Sequence, residues 1–178
     1  MIRPLTRTLA TLLVLTGAPA VYAQEAASPE DLPFIGSVSA ADPRAEAAGM
    51  EMLKRGGSAT DAAIATMLAL TVVEPQSSGI GGGGFLVRGA ADGSVETVDG
   101  RETAPMGATP EWFLNADGSV PPFMDSVLSG LSVGVPGNVA LAAEAHGRHG
   151  KLPWAVLFEP AIKLARDGFA INVRLAQS

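Results

Sequence analysis

Two stretches near the start of the chain place their apolar residues with the period of an α-helix. In the first, Asp42 and Pro43 fit the N-cap and first-turn positions, and the two glycines after Arg55 fit the end. One face of this helix carries its apolar residues: Ala45, Ala48, Met52 and Leu53. The pattern predicts an amphipathic helix that turns this face to the core.

The second stretch, residues 62–73, is apolar on every side, with two threonines as its only polar residues. Ser58 and Asp61 match the capping-box pattern that begins a helix, and Pro75 marks its end. A helix without a polar face is a buried helix. We therefore expect this element at the centre of the fold.

Shorter patterns predict the remaining elements. Three segments alternate as strands do: 34–40, 85–88 and 94–98. Residues 91–93, Ala-Asp-Gly, have the composition of a turn that joins the last two strands into an antiparallel hairpin. Helices are predicted over 140–148 and 154–166, and the Pro- and Gly-rich stretch 104–131 is predicted to be a long surface excursion. This mixed order differs from the regular alternation of a doubly wound sheet.

The first 23 residues have the pattern of a secretory signal peptide. Arg3 and Arg7 precede a short apolar run, and small residues lead up to Ala23. The run is shorter than the ~20 residues of a membrane span, which argues against an N-terminal anchor. We expect cleavage after Ala23, a flexible lead-in over 24–33, and a bacterial protein that is periplasmic or secreted, without stable membrane insertion after cleavage.

Composition narrows the chemistry further. The 178 residues are 47% hydrophobic and 17% charged, which suits one folded domain, expected over 34–178. No cysteine is present, which excludes disulfides, thiol nucleophiles and cysteine-ligated metals. The net charge of −6 makes nucleic acid and anionic membranes poor partners.

Two motifs match known signatures by letter but not by context, and a pair of histidines suggests a metal site without completing one. Residues 79–84 match G-x-G-x-x-G, yet a helix precedes them and a strand follows, so close backbone packing and positive φ are expected rather than a dinucleotide site. Ser132 lies in G-x-S-x-G, but a proline and a glycine follow where a nucleophile elbow needs a helix. His146 and His149 lack a third metal ligand and are expected on the surface at a helix end.

Arg101 is the strongest binding candidate, because it follows a predicted strand, where side chains commonly project into a site. A guanidinium can hold a carboxylate by two parallel, charge-assisted hydrogen bonds. A salt bridge to Glu96, Asp99 or Glu102 explains an arginine here equally well. Spacing alone leaves both interpretations open.

Six segments in series resemble the N-terminal part of the gamma-glutamyltranspeptidases, also called glutathione hydrolases. They are Val73-Glu74-Pro75, GIGGGGF at 79–85, DGRETAP at 99–105, SVGVPGNV at 132–139, GKLPW at 150–154 and PAIKLARDGF at 160–169. The resemblance runs from about residue 34 to the last residue. Members of this family are secreted or periplasmic, which agrees with the predicted signal peptide.

The resemblance implies an α/β (α+β) fold, the αββα sandwich of the N-terminal-nucleophile hydrolases, of which this chain would form an incomplete N-terminal portion. It implies a precursor that cuts itself into a large and a small subunit and exposes a threonine. The threonine hydroxyl attacks a gamma-glutamyl amide such as that of glutathione, and the acyl group passes to water or an amine. No cofactor or metal is implied.

Of the family's functional residues, the resemblance places one in this chain. Arg101 matches the arginine that holds the α-carboxylate of the gamma-glutamyl group. The catalytic threonine, the oxyanion glycines and the contacts to the α-amino group match nothing up to Ser178. We therefore expect the chain to resemble a truncated precursor that is inactive alone and that needs the small subunit as partner.

Two alternatives remain open from the sequence. A cephalosporin or glutaryl acylase of the same superfamily would use the same nucleophile on a different acyl group, and Arg101 could hold a glutaryl carboxylate. A secreted, non-catalytic module that binds an amino acid through Arg101 is the alternative from another class.

Overall fold

A computed structural model of the protein describes residues 36–178. The expected signal peptide over 1–23 and the lead-in over 24–33 lie outside the described residues. The strand expected over 34–40 is wrong in its described part, since residues 36–40 form no strand. Here the Ala40 N–H donates to Glu46 Oε1 at 3.2 Å, so a helix side chain takes the place of a neighbouring strand.

The two N-terminal helices begin where the caps predict. Helix α1 spans Pro43–Lys54, with the Asp42 side chain accepting from the Arg44 N–H. Helix α2 spans Ala59–Val73, and both hydrogen bonds of its capping box are present. The two helices pack closely, because a Cβ on Gly49 of α1 would lie 2.3 Å from Thr66 Oγ1 of α2. Helix α2 is central and largely buried, as its all-apolar pattern predicts.

The predicted hairpin is confirmed. Strand β1 spans Gly84–Gly89 and pairs antiparallel with strand β2, Val95–Gly100, in a register that sets Gly84 opposite Gly100. Both strands contact a later helix, α4, which spans Asn138–His149. Gly100 must be a glycine, since a Cβ there would lie 2.5 Å from Leu141 Cβ.

The long segment after β2 is mostly turns, as predicted. It contains a five-residue helix, α3, over Phe123–Val127 and a 3₁₀ helix over Gly130–Ser132. An antiparallel bridge between Thr103 and Val135 ties its two ends together.

The helix predicted over 154–166 is two elements. A 3₁₀ helix spans Trp154–Phe158, and helix α5 follows over Glu159–Asp167. Pro160 lies in the first turn of α5 and lacks the N–H that a continuous helix would need. Gly168 ends α5 with φ of 76°, and a short helix, α6, spans Val173–Ala176.

The main hydrophobic core forms around α2. Its buried members are Met52, Ala62, Ile64, Ala65, Leu68, Ala142, Leu157 and Ala161. Alanines on the α2 side of this core allow the neighbouring helices to approach closely. Within residues 36–178, the helices are all too short or too polar to cross a lipid bilayer.

Three buried carboxylates, those of Asp61, Asp42 and Glu74, connect distant parts of the chain. Asp61 Oδ2 accepts from the backbone N–H groups of Ser58, Lys151 and Leu152 at 2.8, 2.9 and 3.2 Å. Asn172 Nδ2 bridges Asp42 Oδ2 and Glu74 Oε1 at 3.3 and 3.1 Å. The segment before α6 is thereby joined to the start of α1 and to the end of α2.

Candidate functional site

Arg101 lies where the hairpin ends and the chain turns away from the sheet. Its N–H donates to Asp99 Oδ1 at 2.9 Å, which fixes the turn, and its side chain is 67% exposed. Glu102 is the acidic partner of the guanidinium, with Nε to Oε2 at 3.3 Å. Glu96 pairs instead with Arg148 and with His149, whose Nε2 lies 2.6 Å from Glu96 Oε2.

Two open clefts meet at Arg101 and Glu102. The first has a volume of about 720 Å³, with Trp112 and Phe113 on its apolar side. The Trp112 Nε1 donates to the Leu131 carbonyl at 2.9 Å and holds that side in place. The second cleft, about 530 Å³, lies on the side of the glycine run. Arg101 is thus an accessible cation shared by two concave surfaces, as a side chain that binds an anion should be.

The glycine run over 79–84 is fixed by the start of α4. Asn138 Nδ2 donates to the Gly79 carbonyl at 2.7 Å, and the backbone N–H groups of Gly137 and Asn138 both donate to the Gly82 carbonyl at 3.1 Å. These two N–H groups at the start of α4 are thus both occupied by the Gly82 carbonyl. The run therefore serves backbone packing, as predicted.

The expected reason for the glycines is only half right. No residue of 79–84 has a positive φ, so that expectation is wrong. Space is the reason instead, because a Cβ on Gly83 would lie 2.5 Å from the Glu102 backbone N and 2.6 Å from Gly100 O. Close contact with the chain after β2 excludes every side chain at this position.

Ser132 has no geometry for nucleophilic attack. It lies in the 3₁₀ helix, and its hydroxyl contacts the carbonyl oxygens of Val127 and Ser129, both at 2.9 Å. A hydroxyl that donates to backbone carbonyls has no general base to activate it. The structure agrees with the rejection of the elbow interpretation.

The two histidines are packing residues with separate partners. His146 Nε2 lies 2.8 Å from the Leu152 carbonyl, and its ring stacks against Trp154 with centroids 5.2 Å apart. His149 contacts Glu96. Both lie in the last turn of α4, at the helix end where the sequence places them, and their side chains are 20 and 24% exposed, so they are half-buried there. The cause is that α4 packs its last turn against β2 and the 150–154 loop.

Sequence reasoning did not single out Glu102 or Asn138. The sequence offers Glu102 only as one of three possible ion-pair partners of Arg101, and Asn138 has no feature that separates it from the rest of the segment 132–139. Asn138 is 8% exposed, which is unusual for an amide at a helix start. Both Glu102 and Asn138 lie close in sequence to glycine-containing motifs. Glycines leave space that another side chain can fill, and that is the feature of the sequence that points to these two residues.

Comparison with known proteins gives a consistent result. A profile of the family described as Gamma-glutamyltranspeptidase matches residues 45–178. Glutathione hydrolase 3 of Arabidopsis thaliana is 50% identical over 144 residues, which cover 80% of this chain and 22% of that protein. The Glutathione hydrolase proenzyme of Bacillus subtilis strain 168 is 41% identical, over 96% of this chain and 30% of that protein.

A solved structure shows the same folding pattern. The gamma-glutamyltranspeptidase of Helicobacter pylori superposes with a TM-score of 0.75 at 41% sequence identity, over 80% of this chain and 41% of that chain. Relative to the two curated relatives from Arabidopsis thaliana and Bacillus subtilis, the chain spans less than a third of their length.

Proposed function

The chain belongs to the gamma-glutamyltranspeptidase family, and from this membership we propose that it forms the N-terminal part of a glutathione hydrolase and gamma-glutamyltransferase. Its helices and hairpin supply a mixed helix-and-sheet portion of the N-terminal-nucleophile hydrolase fold. The proposed substrate is a gamma-glutamyl amide, glutathione or a related compound.

In the proposed reaction a threonine hydroxyl attacks the gamma-glutamyl carbonyl and forms an ester, while the departing amine takes up the proton. Water or an acceptor amine then attacks the ester and releases the threonine. We place that threonine in the small-subunit part of the precursor, outside these 178 residues. Arg101 takes no part in bond making, and its proposed role is to fix the α-carboxylate so that the carbonyl meets the nucleophile.

The observation that carries the proposal is the position of Arg101. Its guanidinium is exposed at the junction of two clefts, while Asp99 and Glu102 fix the backbone and the inner edge of the side chain. The terminal edge of an exposed guanidinium can donate two parallel hydrogen bonds to a carboxylate. A free amino acid carboxylate is the ligand that this arrangement suits.

The test is made on the full-length protein that contains this chain. Wild-type protein should hydrolyse a gamma-glutamyl anilide. Arg101→Ala should raise KM and lower kcat/KM by about 100-fold or more, because a charge-assisted double contact is lost. Arg101→Lys should fall between the two, since it keeps the charge but not the planar fork. Unchanged kinetics of Arg101→Ala would reassign the side chain to a structural ion pair.

Partner and location follow from the same proposal. We propose a small subunit cut from the same precursor as the partner, supported by the proenzyme name of a relative. Export to the periplasm or the exterior is proposed from the signal-peptide pattern of the first 23 residues. N-terminal sequencing of the exported protein should find Gln24 as the first residue.

The two alternatives predict different outcomes. An acylase of the same superfamily would turn over a glutaryl amide faster than a gamma-glutamyl amide. A binding module would bind glutamate without hydrolysing either amide. The glutathione hydrolase names of the relatives favour the gamma-glutamyl substrate.

A further inference from the structure

Glu102 has a buried carboxylate oxygen with no ordinary partner. Within residues 36–178, Glu102 Oε2 is inaccessible to water and accepts no hydrogen bond. Its one charged neighbour there is the Arg101 guanidinium, 3.3 Å away at Nε. Burying a carboxylate oxygen without a hydrogen bond is unfavourable, so a fold that keeps one beside a substrate-binding cation indicates a role for it.

Three glycines surround this side chain and leave it its space. A Cβ on Gly83 would lie 2.6 Å from Glu102 Oε2, and one on Gly82 would lie 3.4 Å from Oε1. From the opposite side, a Cβ on Gly134 would lie 3.0 Å from Glu102 Cβ. Gly82 and Gly83 belong to the glycine run, and Gly134 ends the G-x-S-x-G motif. Two motifs that bind no nucleotide and hold no nucleophile thus enclose one glutamate.

We propose that Glu102 is a positioning residue for Arg101, and that Gly83 and Gly134 position Glu102. The inference rests on the proposed function, because it takes Arg101 as the anchor of the substrate carboxylate. Glu102 pairs with the Nε edge of the guanidinium, so it orients the plane and leaves the terminal nitrogens for the substrate. An arginine ordered before binding loses less side-chain entropy when the ligand arrives.

Because Glu102 is negatively charged, the direction in which its neutralisation changes substrate affinity tests the proposal. A carboxylate this close to a substrate carboxylate also repels it, so a glutamate without a positioning role would weaken binding. Replacing Glu102 by the isosteric glutamine would then leave affinity unchanged or improve it. If Glu102 orients Arg101, the same substitution weakens binding.

The experiment compares wild type with Glu102→Gln, Arg101→Ala and the double variant in the full-length protein. Binding of glutamate is measured by calorimetry, and kcat and KM are measured with a gamma-glutamyl anilide. We expect Glu102→Gln to raise the glutamate Kd and the KM by about 10-fold, with a smaller change in kcat. Glu102→Asp, which keeps the charge, should recover part of the loss.

The double variant separates positioning from independent binding. If Glu102 acts through Arg101, adding Glu102→Gln to Arg101→Ala leaves Kd and KM unchanged or lowers them, because only the repulsion between the two carboxylates remains to be removed. Additive losses would overturn the proposal. A wild-type protein that neither binds glutamate nor hydrolyses the anilide would overturn the proposed function as well. An active wild type with an unaffected Glu102→Gln would overturn this inference alone.

The glycines are tested with a matched control. Gly134→Ala is the informative variant, because its new methyl group presses on the Glu102 side chain and on the Thr103 carbonyl. It should raise KM in the wild-type background and have no effect when Arg101 is alanine. Gly89→Ala, at the end of β1 with nothing within 4 Å of its Cβ position, should leave KM unchanged. Gly83→Ala also meets backbone atoms, so its thermal unfolding is recorded beside its KM.

Discussion

Asp61 shows how one buried carboxylate organises the start of α2. Burial raises the pKa of this side chain, but the hydrogen bonds from the backbone of Ser58, Lys151 and Leu152 outweigh burial, so the pKa lies below its usual range. The second oxygen, Oδ1, has no hydrogen-bond partner within the described residues and lies 3.7 Å from His146 Nε2. Ionised Asp61 therefore joins the helix start to the 150–152 loop.

Asp61→Asn should lower the free energy of unfolding by about 2–3 kcal/mol, because an amide N–H₂ group would then face the His146 nitrogen that donates to a carbonyl. Urea denaturation of the full-length protein measures the loss. Ser58→Ala, which removes only the cap hydroxyl, should cost about 1 kcal/mol. Equal stabilities of wild type and Asp61→Asn would show that the charge is dispensable.

Residue-level prediction succeeded where the signal is local. The Asp42 cap, the Ser58–Asp61 capping box and the hairpin turn each depend on neighbours within four positions, and all three are confirmed. The role of Glu102 depends instead on glycines from two distant segments. No pattern along the chain shows that Gly83 and Gly134 meet at one side chain.

At the scale of elements, the crossing of α1 and α2 is limited by two facing residues. Gly49 leaves no room for a side chain, and Thr66 Oγ1 is buried opposite it without a hydrogen bond within the described residues. The predicted apolar face of α1 and the predicted burial of α2 are both correct, but periodicity gives no information on the distance between the two helices. Small residues allow close approach, and only the packed structure shows which one is used.

Gly49→Ala should lower the free energy of unfolding by about 1–3 kcal/mol, because the added methyl group overpacks the crossing. Thr66→Ala in the same protein should recover part of the loss, since it removes the atom in closest contact. The matched control is Gly147→Ala in α4, where nothing lies within 4 Å. In that open helical position alanine should stabilise by about 0.5–1 kcal/mol. Chemical denaturation that ranks the two alanine variants equally would contradict the crossing geometry.

At the scale of the molecule, a network of polar groups connects the first, second and last helices. The Arg44 side chain donates to Asp42 and lowers the pKa of that carboxyl from 3.8 to about 2. Glu74 is 3% exposed at the end of α2, and Asn172 joins it to Asp42. These contacts span the described chain from its start to its end, which no local pattern predicts.

Because of this network, the free energy of unfolding depends on pH over a defined acidic range. The pKa of Asp42 is lower in the folded state, so its contribution is complete above its ordinary pKa of 3.8 and disappears as the pH falls towards about 2. Asp42→Asn should therefore cost about 2 kcal/mol at neutral pH and progressively less below pH ~4. Unfolding curves of both proteins across this range measure the difference.

Asp125→Asn is the control for that titration. Asp125 is exposed, and its side chain makes no hydrogen bond or ion pair within residues 36–178. Its substitution should leave the acid profile of the wild type unchanged. If Asp42→Asn and Asp125→Asn changed the pH dependence of unfolding equally, the acid sensitivity would come from the overall charge and not from the Asp42 contacts.

The crossing at Gly49 also restricts how this protein can change over generations. A larger residue at position 49 becomes acceptable only after position 66 has given up its γ atoms and Val38, 2.9 Å from the same point, has become smaller. Substitutions at the three positions should therefore be correlated, so that a lineage with a larger residue at position 49 carries smaller residues at positions 38 and 66. An alignment of many descendants would record that history as covariation among positions 38, 49 and 66.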